Sequence, residues 1–182
     1  NQISQQAGSG VTASLLTGSA GAGTTLPAGL IALGWANAAA IGWGNTTGSA
    51  SLPRLSNAVA RLSDFATTGD LTLQSNALTQ TGTVSAGGAA ALRVSGGPLV
   101  QNAGTIQAGS VVLDGTLTNG VTLNGGAVIA TAGSILVNSS LVTLGANQLV
   151  ATTGQGTDIS FAGGVTQAAG SRVSAQGNVT AA

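Results

Sequence analysis

Apolar and polar residues alternate in short bursts along most of this chain, and each burst closes on Gly, Asn or Ser. Leu71-Thr-Leu-Gln-Ser-Asn76, Leu92-Arg-Val-Ser-Gly-Gly97 and Val121-Thr-Leu-Asn-Gly-Gly126 follow this scheme. Ile135-Leu-Val-Asn-Ser-Ser140 and Ile159-Ser-Phe-Ala-Gly-Gly164 repeat it. A period of two places Leu71 with Leu73, and Val121 with Leu123, on one face of a strand. Gly and Asn supply the backbone conformations that turn the chain between strands.

The bursts themselves recur. Leu99-Val-Gln-Asn-Ala-Gly-Thr-Ile-Gln-Ala-Gly109 has a near copy in Leu78-Thr-Gln-Thr-Gly-Thr-Val-Ser-Ala-Gly87, so that Gly82 and Val84 fall 22 residues before Gly104 and Ile106. Weaker copies begin at Thr131-Ala-Gly-Ser-Ile135 and Val165-Thr-Gln-Ala-Ala-Gly. A repeat of roughly 20 residues made of short strands and turns predicts a β-solenoid, in which each unit buries its apolar face only by coiling onto the next. About five coils fit between residues 70 and 182 at that period. An immunoglobulin-like sandwich also has many short strands, but it does not require one phrase to return at fixed spacing.

Two segments precede the repeats. Residues 1–50 are rich in Gly, Ala, Ser and Thr around one apolar section, Leu26 to Trp43. Its 18 residues reach the lower limit for a membrane-spanning helix, but Pro27, Gly29, Gly34, Asn37 and Gly42 break it. No membrane insertion is expected. Ala32-Leu-Gly-Trp-Ala-Asn37 and Ala40-Ile-Gly-Trp-Gly-Asn45 instead suggest two short strands, each closing in a turn. Over 51–66, Leu52, Leu55, Val59, Leu62 and Phe65 recur at three- and four-residue steps, with Pro53 near the start. That spacing predicts an amphipathic helix, suited to covering an open end of the stack. The expected organisation is an N-terminal segment over 1–50, a helical cap over 51–69 and the solenoid over 70–182.

Composition removes many activities from consideration. The 182 residues are 43% hydrophobic and carry four basic and four acidic side chains, with no net charge. That balance predicts a folded chain. Lys, Glu, His, Cys, Met and Tyr do not occur. Common metal sites, nucleophile–imidazole pairs and lysine chemistry therefore have no residues to build on, and no cofactor is expected. Arg54, Arg61, Arg93 and Arg172 are too few and too scattered for a nucleic-acid surface. A chain opening at Asn1, without Met or a leader pattern, reads as a processed product.

Asn102-Ala-Gly-Thr-Ile-Gln-Ala-Gly109, followed by Val111-Val-Leu113, resembles the repeats of filamentous-haemagglutinin-type exoproteins and autotransporter passengers, as does Leu78 to Gly87 leading into Leu92 and Val94. The resemblance covers residues 70–182. It implies a right-handed parallel β-helix outside a Gram-negative cell, at the surface or secreted, with an adhesive or structural role. The Asn-Pro-Asn phrase of that family's secretion domain is absent.

Few side chains remain as candidates for a site. Asp64, Asp70, Asp114 and Asp158 are the only carboxylates, and the 44 residues between Asp114 and Asp158 equal two 22-residue coils. Paired acids could cleave glycosidic bonds. Turn roles account for them more simply, and no enzyme is expected. Trp35 and Trp43 are the candidate contacts for a glycan or partner, set against burial in the first coils. Rows of Ser, Thr and Asn along stacked strands could join them in weak glycan binding. The expected function is a self-assembling filament subunit, its joint formed by Leu26, Ile31 and Ile41 of one copy and Val179 of another. A glycan- or host-binding adhesin fragment is the alternative.

Overall fold

A computed structural model describes residues 61–182 in full and, before them, the backbone of 2–4, 11–18, 29–32, 36–46, 48–55 and residue 60. The 22 strands of the described residues form one continuous sheet wound into a coil. The first three turns contain two strands each: β1 (Gln2–Ser4) and β2 (Val11–Gly18), β3 (Gly29–Ala32) and β4 (Ala36–Thr46), then β5 (Gly48–Leu55) and β6 (Ala60–Thr67). Later turns contain three. They begin with β7 (Leu71–Ser75), β8 (Leu78–Gln80) and β9 (Val84–Ala86), then β10 (Ala89–Val94), β11 (Leu99–Gln101) and β12 (Thr105–Ala108). β13 (Ser110–Asp114), β14 (Val121–Leu123) and β15 (Gly126–Ala130) precede β16 (Ile135–Asn138), β17 (Leu141–Leu144) and β18 (Gln148–Thr152). β19 (Ile159–Phe161), β20 (Gly164–Gln167) and β21 (Arg172–Ser174) complete a fifth three-strand turn, and β22 (Val179–Ala181) opens a sixth.

Every strand pairs in parallel with its counterpart one turn away, giving three columns. The chain is thus a parallel β-solenoid, and the repeat in the sequence is the rise of one turn. Val84, Ile106, Val128 and Val150 are stacked neighbours in the third column, each 22 residues after the last. The copy beginning at Val165 is a true equivalent, because Val165 stacks on Val142 and Val173 on Val150. Thr131 to Ile135 is not one. Ile135 stacks between Val111 and Ile159, so that phrase turns the chain into the first column.

Period-two alternation puts one row of each strand inside. Leu73, Leu92, Leu113, Val137 and Phe161 make one buried stack, and Leu78, Leu99, Val121 and Val142 another. Beside the second stack the interior contains amides. Gln80, Gln101 and Gln148 are buried; Gln101 Nε2 donates to Ala127 O at 2.9 Å and Gln148 Nε2 to Gln101 Oε1 at 3.3 Å. Directly above Gln101 the same row continues as Leu123 and Leu144.

In place of the helix expected over 51–66, the described residues of that stretch, 51–55 and 60–66, lie in strands β5 and β6, which pair with β7, β8 and β9. Its three-residue steps have a different cause. Leu52 pairs with Leu73 and Leu55 with Ser75, so an extra residue bulges between them. Leu62 pairs with Gln80 in the second column and Phe65 with Val84 in the third, so β6 bends around a corner. A strand that bulges or bends resets its alternation and mimics helical spacing. Ala40 to Asn45, expected as one of two short strands, lies within the longer β4.

Corners also explain the recurring glycine. Gly104 has φ +75°, and a Cβ there would lie 2.0 Å from the carbonyl oxygen of Gly82 in the turn below. Gly126, one turn above, repeats this with φ +93° and the same 2.0 Å approach to Gly104 O. No other residue fits without moving the backbone. Gly164, in contrast, has open space where a Cβ would project. Gly104→Ala should therefore destabilise the fold by about 2 kcal/mol or more, while Gly164→Ala should be near neutral. Urea midpoints of the two variants test this, and equal midpoints would refute it.

Candidate functional site

Three of the four carboxylates do one job at the corners. Asp64 Oδ1 accepts the backbone N–H of Thr83 at 2.8 Å, Asp70 Oδ1 that of Ala89 at 2.7 Å, and Asp158 Oδ1 that of Asn178 at 2.8 Å. In each case the donor lies in the next turn and follows a glycine. A Cβ on Gly82, Gly88 or Gly177 would come within 2.6 Å of the same carboxylate oxygen. An aspartate and the glycine that leaves room for it thus pin successive turns together.

Asp114 differs. Its Oδ2 lies 3.3 Å from Arg93 Nε in the turn below, and its Oδ1 accepts Asn138 Nδ2 at 2.6 Å from the turn above. The ion pair is solvent-exposed and contributes at most about 1 kcal/mol. Asp158 lies two turns from Asp114, but register sets it before the start of the strand column that Asp114 ends. Four residues of strand, roughly 13 Å, therefore separate their register positions along the face. The two acids are not brought together. Among the described residues there is no group of three or more His, Cys, Asp or Glu side chains.

Of the residues nominated as contacts, Leu26 and Trp35 lie outside the described residues. Trp43 and Ile41 are placed by backbone register alone. Trp43 pairs with Phe65 and Ile41 with Leu62, two positions whose side chains are buried in β6. Ile31 pairs with Ile3 below and Ala50 above. Val179 lies in β22 at the other end of the coil and is 52% exposed.

That end is the most distinctive surface of the described chain. β20, β21 and β22 each pair with a strand below and with none above. Val165, Val173 and Ala175 pack on the core but are only partly covered. Residues 173–182 carry no charged side chain. Open backbone edges over an incompletely covered apolar interior form a template for another strand.

The flanks offer a second surface. Thr79, Val100, Thr122, Thr143 and Thr166 stack in one row of the second column, alternating along their strands with core-facing positions. Beside them Asn124 Nδ2 donates to Asn102 Oδ1 at 2.8 Å, one step of an asparagine ladder. Sequence reasoning anticipated polar rows but missed Leu117. It is 84% exposed in the six-residue turn between β13 and β14, where its carbonyl oxygen accepts from Ser140 Oγ of the next turn. Only the extra length of that turn could have signalled it.

No family model, curated protein or solved structure matches this chain. The parallel β-solenoid is compatible with the β-helix of the exoproteins it resembles in residues 70–182. The corner carboxylates yield a direct check of their structural role. Asp158→Ala should cost about 1 kcal/mol through the lost Asn178 contact, while Asp158→Asn, which keeps an acceptor oxygen, should cost less than half of that. Chemical denaturation measures both; equal losses would contradict the pin.

Proposed function

We propose that this protein is a non-enzymatic structural subunit that associates with copies of itself into an extracellular or cell-surface filament. The observation that carries this reading is the in-register parallel ladder of the described turns, in which the edges of β20, β21 and β22 could continue into a further strand over a partly covered apolar interior. Zero net charge leaves little long-range repulsion to oppose stacking. The engagement of all four carboxylates in contacts between turns supports a structural role rather than acid–base catalysis. The extracellular setting comes from the resemblance to filamentous-haemagglutinin-type repeats and is part of the proposal.

Size exclusion and electron microscopy of the purified 182-residue chain test it. Concentration-dependent filaments are expected, and a monodisperse monomer at high concentration would overturn the reading. Val179→Lys should abolish assembly while leaving the β-type circular dichroism intact, because a charge tolerated on the exposed strand becomes buried in a joint.

The threonine row and asparagine ladder favour a second reading, a glycan-binding adhesin fragment. A glycan array with the parent, a Trp35→Ala/Trp43→Ala variant and a Thr122→Ala/Thr143→Ala variant tests this. Loss of a signal in the threonine variant alone would assign binding to the flank. Loss in the tryptophan variant alone would assign it to the N-terminal segment, and no signal from the parent would dismiss the adhesin.

A further inference from the structure

An aspartate or asparagine precedes glycine three times in the sequence, at Asp114-Gly115, Asn119-Gly120 and Asn124-Gly125. In such a pair the glycine nitrogen has no side chain beside it, so it is the backbone nitrogen best placed to attack the preceding side-chain carbonyl carbon. Attack requires that this N–H be free and that the side chain can turn toward it. The structure separates the three pairs on both counts.

At the first pair, Gly115 N–H donates to Asn138 O at 2.9 Å, while Arg93 and Asn138 hold the Asp114 carboxylate. At the second, Gly120 N–H donates to Thr116 O at 3.2 Å in the antiparallel bridge that closes the turn. Asn119 Nδ2 donates to Gly96 O at 2.9 Å and to Thr118 Oγ1 at 3.2 Å, so that side chain is held twice. The third pair differs. Gly125 N–H has no hydrogen-bond partner among the described residues. Asn124 is exposed, and its Nδ2 makes one bond, to Asn102 Oδ1 at 2.8 Å. A Cβ on Gly125 would meet nothing nearer than Asn102 O at 3.5 Å, so the corner leaves room around the nitrogen.

We propose that Asn124 is a site of spontaneous deamidation, at which the neutral flank of the solenoid acquires a carboxylate. A solvent base takes the Gly125 N–H proton, and the nitrogen attacks Asn124 Cγ. A C–N bond forms, the Cγ–Nδ2 bond breaks, and Nδ2 leaves as ammonia, giving a cyclic imide. Water then opens the ring. Addition at Cγ yields aspartate on an unchanged main chain; addition at the main-chain carbonyl carbon yields isoaspartate, with the β-carbon drawn into the main chain. Nothing is oxidised or reduced.

Either product carries a negative charge within residues 115–157, which otherwise have no charged side chain. Asn102 can receive it. Its Oδ1 accepts from Asn124 Nδ2, and exchanging the two ends of the Asn102 amide turns that contact into a charge-assisted bond from Asn102 Nδ2 to the new carboxylate. The corner stays bonded, and time after synthesis sets the charge of this flank.

Incubation of the purified 182-residue chain in heavy-oxygen water, folded and in urea, tests this by fragment-resolving mass spectrometry. In the folded chain Asn124 should gain an acid carrying one heavy oxygen several-fold faster than Asn119. The rate should rise with pH, because the deprotonated nitrogen attacks. In urea, where both glycine nitrogens are released, the two sites should convert at similar rates. Gly125→Ala, whose Cβ the corner accommodates, should slow conversion of Asn124 several-fold while β-type circular dichroism persists. Conversion of Asn119 as fast as Asn124 in the folded chain would overturn the proposal. So would a folded chain left intact at Asn124 while the chain in urea converts, or a Gly125→Ala rate equal to the parent's.

Discussion

From β3 to β19 each described strand is held by backbone hydrogen bonds to the strand one turn below and one turn above. Because those bonds are parallel and in register, a residue's environment is decided by what occupies the same position in neighbouring turns. Side chains inherit this order. A leucine on one turn becomes a floor for a leucine or valine on the next, and small branched residues fill most of the described interior, with Phe65 and Phe161 among them. The corners inherit it too. Gly104 and Gly126 recur because the carbonyl of one turn occupies the space that a side chain on the next would need.

The same constraint determines how much could be read from the residues. Where a turn keeps constant length, as from Val84 through Ile106 to Val150, the repeat announces both the fold and the stacking partners. Where a strand bulges or bends, the pattern misleads. Leu52, Leu55, Leu62 and Phe65 show a helical period because two of their three-residue steps span an irregularity in a strand. Gln80 and Gln101 were legible as inward-facing from their place two residues after Leu78 and Leu99. Their stacked arrangement was not, since it depends on a third amide, Gln148, 47 residues beyond Gln101. The candidate surfaces divide along the same line. Threonine rows follow from register, whereas the exposure of Leu117 depends on the length of a single turn.

Scarcity of charge acquires a structural meaning here. In most domains acidic residues are free to lie on the surface wherever solvent permits. Here three of the four lie at corners, each capturing a backbone N–H of the following turn. Such a bond acts between one turn and its neighbour only, so the cohesion of the coil is distributed along its length. No single centre gathers the polar side chains of the described residues.

The turn from Gly115 to Gly120 shows what this distribution permits. It holds six residues between β13 and β14, whereas Ser139-Ser140 alone connects the equivalent strands in the following turn. Yet Asp114 still pairs with Asn138 and Val121 with Val142, so the columns on either side continue undisturbed. Extra chain leaves the coil sideways at a corner and returns to the same height. The scaffold can therefore carry protrusions, of which Leu117 is a small example, without altering its pitch. Length gained at a corner becomes relief on the flank of the solenoid, while length gained by whole turns becomes reach along its axis.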